Sequence, residues 1–162
     1  MSRFSITAII CLIISLESLS QTFKPDYATA LDAEAGTELL NQCSRSTPDN
    51  ITDFWMVTDT EVVLLEQNFR KLTRLKSSGC CYSGVKIKSL RKFGYQYIGV
   101  TIKGKRYIYI NAFHIDKNSF EQWYKNWETE PIVFCDGGDY FWGVLFDLKS
   151  EKFKDLNING IA

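Results

Sequence analysis

A cysteine, two aspartates and a histidine lie close enough along the chain to suggest chemistry. Residues 135–144 read CDGGDYFWGV, and His114 lies about twenty positions upstream. Cys135 as nucleophile, His114 as base and Asp116 or Asp136 as orienter would make a small cysteine hydrolase, provided sulfur and imidazole lie within hydrogen-bond reach. Asp136 and Asp139 offer a hard cation two carboxylates, short of the six to eight oxygens calcium takes. His114 is the single histidine of the chain, so HExxH and two-histidine zinc sites are excluded, and the phosphate-loop, dinucleotide and GxSxG fingerprints are missing too. No cofactor or metal ligand set is read from the sequence, and catalysis is not the favoured reading.

Charge is more informative. The chain of 162 residues carries 19 basic and 19 acidic side chains, but they are segregated. From Gln67 to Ile115 there is no acidic residue, and eleven basic ones fall in that span. Residues 21–66 and 116–162 are both acidic on balance. Either the acidic flanks fold over the basic middle, or Lys86, Lys88, Arg91 and Lys92 present a surface to an anionic partner. A protein, an acidic glycan or a lipid headgroup fits that description. Nucleic acid is disfavoured by neutrality and export. Trp123, Trp127 and Trp142, near Tyr124 and Tyr140, are the matching aromatic candidates, because tryptophan and tyrosine dominate interface hot spots.

Export is read from the N-terminus. Arg3, the apolar run Ile6–Leu16 and the small residues Ser18 and Ser20 make a signal peptide over residues 1–20, cleaved before Gln21. Residues 21–162 then form one domain, not transmembrane after cleavage, and secreted or periplasmic. Removal of the leader takes Cys11 and leaves Cys43, Cys80, Cys81 and Cys135. An even number in an exported chain indicates disulfides. Three pairings exist. A bond between neighbours is strained, so Cys80 and Cys81 are each expected to pair with one of Cys43 and Cys135. Asn50-Ile51-Thr52 is a glycosylation acceptor pattern, relevant in a eukaryotic host.

The elements that position these residues follow from periodicity. Residues 26–42 have weak helical spacing. Thr58-Asp59-Thr60-Glu61 is a capping box, and the apolar stripe Val62, Leu65, Phe69 and Leu72 predicts a helix over about 59–75. Tyr95–Ile102 and Lys105–Phe113 alternate as strands around Lys103-Gly104, a two-residue turn that sets Ile98 opposite Tyr109 and Val100 opposite Tyr107. Residues 119–127 predict a short aromatic helix. Gly137-Gly138 predicts a second two-residue hairpin, pairing Cys135 with Tyr140 and Val133 with Trp142. Its Trp142 face is either covered or open for binding. Lys152–Ile158 completes the strands. The expected fold is α+β, with N-terminal helices packed on a twisted antiparallel sheet of four to five strands. By element order alone this layout resembles cystatin-like folds. The function expected is a small exported binding or inhibitor-type module. A structural envelope protein is the remaining alternative to the hydrolase.

Overall fold

A computed structural model describes residues 22–116, 118 and 120–161, without the side chains of Glu121 and Trp123. The signal-peptide reading therefore lies outside the described residues. The fold is α+β, built on one six-stranded sheet.

The centre of the sheet is a long hairpin. Strand β3 (Phe93–Ile102) and strand β4 (Lys105–His114) pair in the expected register, Ile98 with Tyr109 and Val100 with Tyr107. Lys103 and Gly104 both have positive φ, 50° and 73°, as a turn matched to strand twist requires. β5 (Phe141–Asp147) joins the free side of β4, and β6 (Lys152–Ile158) joins β5 through the turn at 148–151. Two short strands share the other edge of β3. β1 (Ala28–Ala30) runs parallel to Tyr95–Tyr97, and β2 (Ile51–Trp55) runs antiparallel to Gly99–Ile102. The sheet thus has six strands where four to five are expected: β1 and β2 are added, and the strand expected just before Gly137 does not form. β1 and a 3-10 turn also replace most of the helix expected over 26–42, leaving only α1 (Gly36–Leu39). Gly36 is needed for packing: the Phe54 ring occupies the space its side chain would fill.

One face of the sheet is covered as periodicity predicts. Helix α2 (Asp59–Asn68) starts at the capping box, with the Thr58 hydroxyl accepting from Glu61 N–H and the Glu61 carboxylate accepting from Thr58 N–H. A 3-10 turn carries it to Arg74. Leu65, Phe69 and Leu72 pack on Tyr95, Tyr97, Ile110, Trp142 and Phe146, all buried.

The other face is covered by irregular chain. The predicted hairpin at Gly137-Gly138 does not form. Both glycines do have positive φ, but they open a 3-10 turn, Gly138–Tyr140, and residues 131–137 pair with no strand. The chain between β4 and β5 instead crosses the sheet, carrying α3 (Phe120–Trp123) and placing Phe134 flat on Phe141 with ring centres 4.3 Å apart. Buried polar side chains hold it down. Gln96 donates to the carbonyls of Trp127 (2.7 Å) and Glu130 (2.6 Å) and accepts from Ile132 N–H (2.8 Å). Asn111 donates to Ile132 C=O at 2.8 Å. A buried backbone must find partners, and here sheet side chains supply them in place of a ladder.

Candidate functional site

Arg45 anchors this polar belt. It is 5% exposed, and its guanidinium donates to Asn159 Oδ1 (2.9 Å), to the Tyr109 hydroxyl (3.2 Å) and to Asn111 Oδ1. Neither ion pair among the described residues involves it, so neutral oxygens alone compensate a buried cation. Gly143 leaves the room: a side chain there would strike the Tyr109 hydroxyl. Nothing in the local sequence singles out Arg45, because its partners lie 64 to 114 residues away.

The same contacts decide the disulfide. Asn159 accepts from Arg45 and donates to the carbonyls of Phe134 and Asp136, which draws residue 43 toward residue 135. Cys43 and Cys135 are bonded, with Cα atoms 4.8 Å apart, inside the range a disulfide spans. The expected pairings to Cys80 and Cys81 are thus corrected: both are free, exposed thiols. Cys135 is also removed as a nucleophile, since its sulfur is no longer a thiolate.

Three of the four basic candidates converge on one cleft. It has a volume of about 200 Å³, and Lys86, Lys88, Lys92, His114, Asp139 and Tyr140 line it. Segment 85–92 carries the first two lysines. Ile87 is buried between exposed Lys86 and Lys88, so the isoleucine anchors the segment to the core and leaves both lysines at the surface. Lys92 sits just before β3, and its carbonyl accepts from Ile115 N–H (2.8 Å), beside His114 at the end of β4. The 3-10 turn lays Tyr140 on the His114 ring, centres 4.5 Å apart, and the tyrosine is 54% exposed. Burial and the Lys92 ammonium hold His114 below its usual pKa, against smaller opposing effects of Asp116 and Asp139. Among the described residues none of the three lysines has a carboxylate within ion-pair distance. Arg91 lies elsewhere, over the Phe23 ring at 6.0 Å.

The aromatic candidates do not join this cleft. Trp142 is fully buried between Phe93 and Tyr95; it is core, and the reading of it as a partner contact is corrected. Trp127 is half-buried against Tyr27, Phe113 and Phe120, bordering a separate open groove. The Trp123 side chain lies outside the described residues. Tyr140 belongs to the aromatic cluster read from the sequence, but its place over His114 beside the lysines depends on the crossover and was not legible there.

Among the described residues, no group of three or more His, Cys, Asp or Glu side chains is placed to hold a metal ion, and no helix is long and apolar enough to cross a membrane. No protein-family model, curated protein or solved structure matches the chain.

Proposed function

We propose that the protein is an exported, non-catalytic binding module that takes an acidic saccharide of the cell envelope in the Lys86–Lys88–Lys92 cleft. The observation that carries this reading is the gathering of three lysines, without ion-pair partners among the described residues, around one cavity beside an exposed aromatic ring. Ammonium groups on a partly enclosed wall attract a carboxylate or sulfate. The Tyr140 ring offers a flat apolar face to the saccharide, with its hydroxyl as a polar handle. The Cys43–Cys135 disulfide supports an extracytoplasmic location, and the leader over residues 1–20 and a single domain over 21–162 belong to the same reading. The cystatin-like element order stays an analogy of layout, resting on α2 preceding the antiparallel run.

The test is calorimetric titration with a uronic-acid or sulfated oligosaccharide, a neutral oligosaccharide serving as control. Reversing Lys86, Lys88 and Lys92 to glutamate together is expected to weaken binding about tenfold or more. Because these side chains are exposed, stability should move by no more than about 0.5 kcal/mol for each substitution. Equal binding by the triple variant, or no preference for the acidic sugar, refutes the reading.

The same titration has a pH signature. His114 is held below its usual pKa, so its uncharged form predominates near neutrality. Acidification protonates it, adding positive charge to a wall that already carries Lys86, Lys88 and Lys92 and the opposing Asp139. Binding of the acidic sugar should therefore tighten as pH falls from about 7 to 5. The linked stability runs the other way: with a depressed folded-state pKa, acid protonates the unfolded chain first and lowers stability in the window below the ordinary histidine value. His114→Gln should flatten the His114 part of both profiles; unchanged profiles in that variant would assign the pH dependence to other groups.

A further inference from the structure

The open groove beside Trp127 is built from side chains that the lysine cleft does not use. It has a volume of about 500 Å³ and is lined by Tyr27, Phe120, Tyr124, Lys125, Trp127 and Glu128. Phe120 and Tyr124 are buried and make its floor, while Tyr27 and Trp127 are half-buried and make its sides. The rings are inclined to one another, not stacked. The planes of Tyr27 and Trp127 meet at 68° with centres 6.1 Å apart, and those of Phe120 and Trp127 at 63° with centres 5.8 Å apart. They therefore stand as adjacent walls of an aromatic corner. Lys125 and Glu128 are exposed beside it, and neither has an ion-pair partner among the described residues.

We propose that this groove binds a small zwitterion that carries a quaternary ammonium and an anionic group, of the phosphocholine class. A quaternary ammonium spreads its charge over methyl groups and is weakly hydrated, so the faces of Tyr27, Phe120 and Trp127 attract it at little desolvation cost. The Glu128 carboxylate complements its positive charge, and the Lys125 ammonium meets the phosphate. This ligand gives every kind of lining group a use. An apolar chain would leave both charges idle, and a simple anion would gain nothing from the rings.

The corner is held in place before a ligand arrives. Tyr27 C=O accepts from Tyr95 N–H on β3 (3.0 Å), and Trp127 N–H donates to Tyr124 C=O (3.1 Å). Gln96 donates to Trp127 C=O at 2.7 Å, and the Thr29 hydroxyl donates to Glu128 C=O at 3.1 Å. The backbone under both walls and under Glu128 is thus tied to the sheet or to its own turn, which leaves little ordering cost for binding. The site shares no lining residue with the lysine cleft, so the two stand or fall separately.

The test is calorimetric titration of the purified protein with phosphocholine, choline and phosphoethanolamine. Saturable binding of phosphocholine is expected, with phosphoethanolamine weaker by about tenfold or more, because its primary ammonium is strongly hydrated and has no methyl groups to set against the rings. Trp127→Leu should weaken phosphocholine by a similar factor. Trp127 also packs on Phe113 and Phe120, so Glu128→Gln, an exposed change, is the paired variant; it should weaken phosphocholine and choline several-fold. Lys125→Gln should weaken phosphocholine and leave choline unchanged. The triple glutamate variant of Lys86, Lys88 and Lys92 should bind phosphocholine as the unsubstituted chain does. No saturable binding, equal affinity for phosphoethanolamine, unchanged binding in both Trp127→Leu and Glu128→Gln, or loss of binding in the triple variant would each overturn the proposal.

Discussion

Arg45→Ala is expected to cost about 2–5 kcal/mol of folding stability, since two or more buried partners lose their donor at about 1–3 kcal/mol each. Those partners are Asn159, Asn111 and the Tyr109 hydroxyl. None of them gains water in compensation if the site stays closed, because Asn111 and Asn159 are themselves buried. Lysine should rescue little: it has no fork with which to reach acceptors on β4 and beyond β6 together. The measurement is the urea midpoint and slope of Arg45→Ala and Arg45→Lys, with hydrogen exchange of the Ile132 amide as a local readout. That amide donates to Gln96, which is bonded to Asn111, so its protection should fall with the belt. A loss under about 0.5 kcal/mol would mean that desolvating the guanidinium cancels its hydrogen bonds.

The second large effect concerns the disulfide. Cys43→Ser together with Cys135→Ser should lower stability by about 2–4 kcal/mol, chiefly by freeing the unfolded chain. The sequence separation of 92 residues is long, and the loop-closure entropy released grows with that length. Equilibrium denaturation of the double variant checks this, compared with the unsubstituted chain under the same non-reducing conditions. An unchanged midpoint would refute the loop-closure account. Because Arg45 is two residues from Cys43 and shares Asn159 with the Cys135 segment, the two effects should not add. A double-mutant cycle should give a coupling of about 0.5–3 kcal/mol.

Much of the scaffold is written locally. The Lys103-Gly104 turn fixes the register of ten paired positions in β3 and β4, because a two-residue loop leaves no slack. Thr58 and Glu61 start α2 where their spacing requires, and the lysines of β6 mark a sheet edge. The basic segment was visible as a run of charge, and three of its members do share a cleft.

The crossover was not legible. Residues 132–146 alternate as a hairpin should, with glycines at its turn, and two physical solutions satisfy that pattern. In one, Val133 and Trp142 pair. In the other, β5 pairs with β4, Phe113 opposite Phe141, and residues 131–137 lie on the sheet face. The second is adopted because Gln96 and Asn111, 21 to 36 residues upstream, satisfy the Ile132 amide and the carbonyls of Trp127, Glu130 and Ile132. A periodicity has no access to donors that far away.

By itself, the sequence determined the central hairpin, the capped helix, the charge segregation and the presence of enough cysteines for a bridge, all of which rest on neighbours within a few residues. Only the tertiary structure decided which cysteines pair, that Trp142 is core, that Arg45 is buried, and that Tyr140 stacks on His114 beside three lysines. Each of these depends on side chains far apart in the chain meeting across the sheet, and such meetings are set by competition among packings that look alike one segment at a time.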